Sequence, residues 1–169
     1  MREYPWLDNI DCPADLKKLP EEALPALCSE IRQFLVEAVS KTGGHLASNL
    51  GAVEIMVGIH RVFDAPKDDI ILDVGHQCYV HKMLTGRKGR FGSLRQFNGI
   101  SGFLRPSESP YDSAVSGHAS SSVSVALGMA RAKKLAGRDS ATVCVIGDGA
   151  FTGGMAYEAM NDAGSRGCP

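Results

Sequence analysis

Apolar residues at Leu24, Leu27, Cys28, Ile31, Phe34, Leu35 and Ala38 recur at three- and four-residue steps, the spacing of one helix face. Gly43 and Gly44 stop that helix, because glycine accepts the left-handed dihedrals of a helix terminus. Pro25 sets its start close by, since proline has no amide for a helix interior. A second helix is predicted from about Gly51 to Phe63, with Val53, Met56, Val57 and His60 along one side and Asp64, Ala65 and Pro66 ending it. The run from Ile70 to His76 reads as a buried strand delivering a loop. Gly86, Gly89, Gly92, Gly99 and Gly102 make the next stretch irregular, with short helical turns. A small-sided helix follows from Ser120 to about Leu135. In it Ser124, Gly128 and Ala132 lie four apart and allow close approach to another backbone, with Ser120 or Ser121 as N-cap. Ala141 to Ile146 predicts a central strand ahead of Gly147, Asp148 and Gly149. A last helical segment runs from Thr152 to about Asn161.

Helices alternating with short apolar strands predict an α/β fold, a three-layer sandwich around a mostly parallel sheet. No linker, repeat or low-complexity tract divides the chain, so residues 1–169 read as one domain. The ending GSRGCP follows a helix and brings no further strand. The sheet is therefore expected to be incomplete, with a small complete domain as the other reading.

Composition narrows the class. Eighteen basic and 19 acidic side chains leave a formal charge of -1, and 44% of residues are hydrophobic. This is an ordinary globular balance, against disorder and against a basic nucleic-acid binder. No apolar run approaches the ~20 residues that span a bilayer, and the first residues lack the apolar core of a secretory signal. Cys12, Cys28, Cys78, Cys144 and Cys168 are odd in number without paired spacing. Reduced thiols and a cytoplasmic setting are expected. Lys82 to Arg95 holds five basic residues and no acidic one. It reads as a solvated face, or as a patch attracting a phosphorylated substrate.

The candidate chemistry begins at VCVIGDGAFTGG, Val143 to Gly154. A strand carries Asp148 to its C-terminal end, where open α/β sheets hold ligands. Flanking glycines let the backbone turn close to a bound group. Amides beyond the turn could meet phosphate oxygens while the carboxylate shares a hard cation such as Mg²⁺. On its own, GDG is equally a tight turn with a conformational aspartate. The spacing is neither GxGxxG nor Walker A. Three histidines sit in glycine-containing turns, His45, His76 and His118. Together they point to a polar cleft able to bind phosphate or pass protons. His60 reads as structural and His81 as solvent-facing. A zinc site is disfavoured because no HExxH or cysteine pair accompanies these histidines, and a hydrolase elbow because GxSxG is absent.

Read together, GGHLASNLG (Gly43 to Gly51), DVGHQCYVHKMLTGR (Asp73 to Arg87), SGFLRPSESPYD (Ser101 to Asp112), GHASSSVSVALGMA (Gly117 to Ala130) and VIGDGAFTGGMAYEAMNDAG (Val145 to Gly164) closely resemble the amino-terminal part of the 1-deoxy-D-xylulose-5-phosphate synthases. The resemblance implies an incomplete thiamine-diphosphate-binding fold, with thiamine diphosphate and Mg²⁺ as cofactors. It implies a homodimer that condenses pyruvate with D-glyceraldehyde 3-phosphate and releases CO₂. No nucleic acid or membrane is implied as a partner. Carried over by position, Asp148 matches the Mg²⁺ ligand, with Gly149 and Ala150 beside the diphosphate. Gly117, His118 and Ala119 match a second cofactor loop. His76 matches a cofactor-contacting histidine, and His45 one associated with substrate handling and proton transfer, so both are catalytic candidates. Ala119 and Ser121 depart from the usual GHSSTS, Val80 stands where proline is common, and Pro110 where glutamate is. Asn161 lies too close to Asp148 to be the family's second metal-ligating asparagine, whose position is expected beyond Pro169 along with the remaining domains. The 169-residue chain by itself is therefore expected to lack synthase activity. Transketolase is the sibling alternative, and a truncated dimerisation or regulatory module the non-catalytic one.

Overall fold

The structure, a computed structural model, describes residues 3–167; Cys168 and Pro169, which enter the expectations above, lie outside them. The chain forms two compact units. One comprises the chain up to Asp64 together with His76–Gly102, the other Ala65–Gly75 with the chain from Phe103 onward. Each is discontinuous in sequence, and no shift in composition marks the crossings.

The first unit is helical. Helix α1 (Pro13–Lys18) starts on a proline, where a missing amide costs nothing. Helix α2 (Leu24–Thr42) has Pro25 in its first turn and ends on Gly43 at φ 72°, as the glycine pair predicts. It buries Leu27, Cys28, Ile31, Leu35 and Val39, the face set by their spacing. Glu30 on α2 accepts the amides of Trp6 and Leu7 at 3.0 and 2.8 Å and so pins the preceding segment. The second predicted helix is divided. A short α3 (Leu46–Gly51) precedes α4 (Val53–Val62), which buries the expected Val53, Met56, Val57 and His60. After α5 (Tyr79–Lys82), the glycine-rich stretch winds through an irregular turn, Met83–Arg87, and a 3₁₀ segment, Lys88–Ser93. Gly86 takes φ 83° there, and a side chain on it would meet the Asp11 carbonyl at 2.9 Å.

The second unit is α/β. Strands β1 (Asp69–Leu72) and β2 (Thr142–Val145) pair in parallel, with Ile70 opposite Val143 and Leu72 opposite Val145. Helix α6 (Ser122–Leu135) lies in the connection between them and packs on both. Lys133 at its end reaches Asp69 at 2.6 Å and the Ala141 carbonyl at 2.5 Å, which ties the helix to the starts of both strands. A single turn, α7 (Asp148–Phe151), and then α8 (Gly154–Ser165) follow β2. Arg131 of α6 pairs with Asp162 of α8.

Several expectations are corrected here. Among the described residues the sheet has two strands. Thr142–Val145, expected as a central strand, has a strand neighbour on one edge among these residues and is half-buried. Ser124, Gly128 and Ala132 face solvent instead of another backbone, because α6 packs through Ser122, Ala126 and Lys133. His81 is fully buried, with its Nδ1 3.0 Å from Nε2 of His60. The basic stretch is not one solvated face or one patch. Lys82 (0% exposed) and Arg87 (4%) are inside, Lys88 is bound to Asp8 and the Leu7 carbonyl, and Arg90 and Arg95 are exposed.

Candidate functional site

In the α/β unit, both strands end in turns that carry polar groups. Beyond β1, Val74 and Gly75 take φ 60° and 88°, so the chain reverses directly after Asp73. Beyond β2, Gly147 leads into α7 and leaves Asp148 exposed at its first position. Its carboxylate bonds no described side chain. The amides of Asp148, Gly149 and Ala150 lead that turn and have no carbonyl a turn earlier to bond. Glycine at 149 leaves open space where a Cβ would stand.

The Gly117–Ala119 loop meets the Asp148 turn through Ser120. Its hydroxyl donates to the Ala150 carbonyl at 2.6 Å. Ser120 has φ 69°, a left-handed conformation that a side chain adopts only when its surroundings hold it. What holds it is Asp73. One carboxylate oxygen accepts the Ser120 amide at 3.0 Å and the other the Ser122 amide at 3.1 Å. Ser121 is the N-cap residue of α6, one of the two serines expected there, but its side chain makes no capping bond. Ser121 turns its hydroxyl back to the His118 carbonyl at 2.9 Å, where Ser116 also donates at 3.2 Å. The leading amide of the helix goes to a carboxylate far away in sequence. His118, Gly117 and Ala119 are exposed.

Gly153 is the steric condition for this junction, since a Cβ there would lie 2.1 Å from the Ser120 hydroxyl. Gly153→Ala is expected to push Ser120 away from Ala150 and to cost about 1–3 kcal/mol. Thermal unfolding together with hydrogen exchange at Ser120 would measure it. An unchanged melting temperature and exchange rate would mean the junction is loose.

His45 and His76 belong to the helical unit, where they form a second constellation. Their rings stand edge to face with centroids 5.7 Å apart. Burial, then the nearby His76 and Arg95, hold the His45 imidazole below its ordinary pKa, so it is neutral around pH 7. Asn49, fully buried, organises both loops. Its amide donates to the His45 carbonyl at 2.6 Å and the His76 carbonyl at 2.9 Å, and its oxygen accepts the Tyr79 amide at 2.7 Å. The Tyr79 hydroxyl in turn accepts the His45 amide at 3.3 Å. Gly44, at φ 142°, passes so close to that hydroxyl that a Cβ would sit 2.6 Å away. The glycines of GGHLASNLG thus have two separate jobs, Gly43 ending α2 and Gly44 clearing Tyr79.

Sequence reasoning missed Asn49 and Asp73 as organisers. Both lie inside the motifs quoted above, and their signal was the presence of a buried-type polar residue flanked by glycine turns. Among the described residues no three His, Cys, Asp or Glu side chains gather into a metal site, and Cys12, Cys28, Cys78 and Cys144 form no disulfide. No helix is long and apolar enough to cross a membrane.

A parallel α/β unit whose exposed aspartate and glycine turns lie beyond the strand ends belongs to the class of folds that bind ligands at that edge. Comparison with known proteins makes the assignment specific. Residues 7–168 match the family model for 1-deoxy-D-xylulose-5-phosphate synthase. Synthases of that name are similar throughout the chain. That of Caldanaerobacter subterraneus subsp. tengcongensis is 59% identical over 94% of the chain and 25% of its own length. Synthase 1 of Geobacter sulfurreducens is 58% identical over the same shares, and the Aromatoleum aromaticum protein 56% over 97% of the chain and 26% of its own length. The chain belongs to the 1-deoxy-D-xylulose-5-phosphate synthase family. It spans about a quarter of the length of the curated relatives it matches.

Proposed function

We propose that this chain is the diphosphate-holding part of a thiamine-diphosphate- and Mg²⁺-dependent transferase that condenses pyruvate with D-glyceraldehyde 3-phosphate. The products would be 1-deoxy-D-xylulose 5-phosphate and CO₂. The observation that carries the reading is the junction of the Gly117–Ala119 loop with the Asp148 turn through Ser120, at the strand ends, with Asp148 uncommitted. In this reading residues 1–169 form part of a first domain, a three-layer thiamine-diphosphate fold completed by sequence outside this chain. The whole protein would be a cytoplasmic homodimer serving isoprenoid, thiamine and pyridoxal phosphate synthesis.

The donor set fits a metal–diphosphate group in part. Asp148 offers one hard oxygen, and the absence of a three-ligand cluster among the described residues means phosphate oxygens and further ligands must complete the shell. Gly149, Ala150 and the Gly117–His118–Ala119 backbone would bind phosphate oxygens. Thiamine diphosphate, when bound, supplies the electron sink for the carbon–carbon bond that breaks as CO₂ leaves. A neutral His45 can accept a proton from substrate, and His76 beside it can donate a hydrogen bond to a developing oxyanion. With one metal ligand and one part of the site, the 169-residue chain has no synthase turnover of its own.

The test is an amide NMR titration of the chain with thiamine diphosphate, with and without Mg²⁺. Shifts are expected at Gly117–Ala119 and Asp148–Ala150 only when the metal is present. Asp148→Asn should weaken binding about tenfold or more, as loss of a charged ligand does. Shifts elsewhere, or a titration indifferent to Mg²⁺ and to Asp148→Asn, would sink the assignment. So would formation of deoxyxylulose phosphate by the chain alone, as regards its inactivity.

A further inference from the structure

The Asp73 side chain bonds the loop before α6 from the end of the sheet, and its influence extends past the two amides it accepts. Its amide donates to the Val145 carbonyl at 2.8 Å, which continues the β1–β2 ladder one residue past the strands. Its side chain is buried, at 1% exposure, and both carboxylate oxygens point at the 117–122 segment. They accept the amides of Ser120 and Ser122. A carboxylate can take two amides from residues two apart only if the backbone between them curls toward it, and Ser120 has the left-handed φ that this demands. Once curled, Ser120 presents its hydroxyl to Ala150. The order of dependence runs from the sheet end to Asp73, then to Ser120, then to the Asp148 turn.

We propose that Asp73 is the positioning residue of the diphosphate site, holding the Gly117–Ser122 loop in its bent form and, through Ser120, fixing the neighbouring Asp148 turn. The assignment of a ligand rests on the functional reading above; the positioning itself does not. An acid is required at 73 because both partners are donors. Asparagine offers one acceptor and turns an NH₂ toward the second amide, while glutamate would carry the carboxylate one methylene farther from the end of β1. Such an arrangement prepares a binding loop before its ligand arrives, which raises affinity by removing the cost of ordering it.

Hydrogen exchange of the chain and of Asp73→Asn, with magnesium pyrophosphate as probe, tests this. In the variant the Ser120 and Ser122 amides should exchange at least about tenfold faster, while those of the β1–β2 ladder keep their protection. Probe affinity should fall several-fold. Unchanged exchange at Ser120 and Ser122 overturns the proposal. Equal loss of protection in loop and ladder also overturns it, since Asp73 would then support the unit as a whole. A wild-type chain indifferent to magnesium pyrophosphate, with the loop still loosened by Asp73→Asn, supports the positioning role and removes the diphosphate reading. Should Asp73→Asn fail to fold, Ser120→Ala deletes only the downstream hydroxyl. Protection at Ser120 and Ser122 should then survive and that of the Phe151 amide fall. Loss at Ser120 and Ser122 would show that the serine, not Asp73, holds the loop, and would overturn the proposal.

Discussion

Replacing Asn49 by alanine is expected to destabilise the helical unit by about 3–5 kcal/mol, because three buried or half-buried backbone groups lose their partner at once. Those groups are the carbonyls of His45 and His76 and the amide of Tyr79. The side chain must donate twice and accept once from a fixed position on α3. An aspartate in its place would turn an oxygen toward two carbonyls, and a leucine would serve none of the three groups. The chain has one tryptophan, Trp6, tied to α2 through Glu30, so its fluorescence reports on this unit during urea unfolding. The same variant should separate the His45 and His76 rings. A shift in the unfolding free energy below about 1 kcal/mol would show that packing on Tyr79, not Asn49, sets the two histidine loops.

The second large effect is acid sensitivity through His60. Burial, followed by the His81 imidazole and the cations Lys17 and Arg87, pushes its pKa down to about 3 from 6.5. A base whose folded pKa is depressed takes up a proton only in the unfolded chain between those two values. The stability it secures is complete above pH 6.5 and is lost as pH falls from there toward 3. The slope is about 1.4 kcal/mol per pH unit, or about 2 kcal/mol lost by pH 5. Subtracting the curve of a His60→Gln variant isolates this contribution from the carboxylates that titrate lower. Parallel curves for the two proteins between pH 6.5 and 5 would mean that His60 is not held neutral by its surroundings. The pairing with His81 explains why the site tolerates two buried imidazoles. One ring nitrogen donates while the other accepts across 3.0 Å, an arrangement that fails once both facing nitrogens carry a proton, because two N–H groups would then face each other.

Both effects arise where polar groups sit inside the protein, and these are the positions least legible in the sequence. The faces of α2 and α4 follow from residue spacing because each helix presents its own apolar stripe, whatever it packs against. The strands β1 and β2 follow from short apolar runs between glycine turns, and Gly43 from the need for a positive φ. By contrast, His81 reads as solvent-facing in the sequence, and Lys82 as part of a solvated face or a phosphate-attracting patch, because nothing local distinguishes a buried polar side chain from a surface one. The stripe of Ser124, Gly128 and Ala132 promises a close packing face, yet α6 packs through the side carrying Ser122, Ala126 and Lys133. That side holds the bonds to Asp69 and Asp73, and two charge-assisted contacts outweigh the small size of the other face.

The amino-acid order alone determined the membership of the family, the longer helices α2, α4, α6 and α8, the two strands and the glycine–aspartate turn that candidate cofactor chemistry requires. These are properties of short windows, in which propensity, period and motif act within a few residues. Only the tertiary structure decided which polar side chains govern the site. Asp73 meets Ser120 across 47 positions and Asn49 meets His76 across 27, and hydrogen bonds of that reach form only after the chain has brought distant segments together.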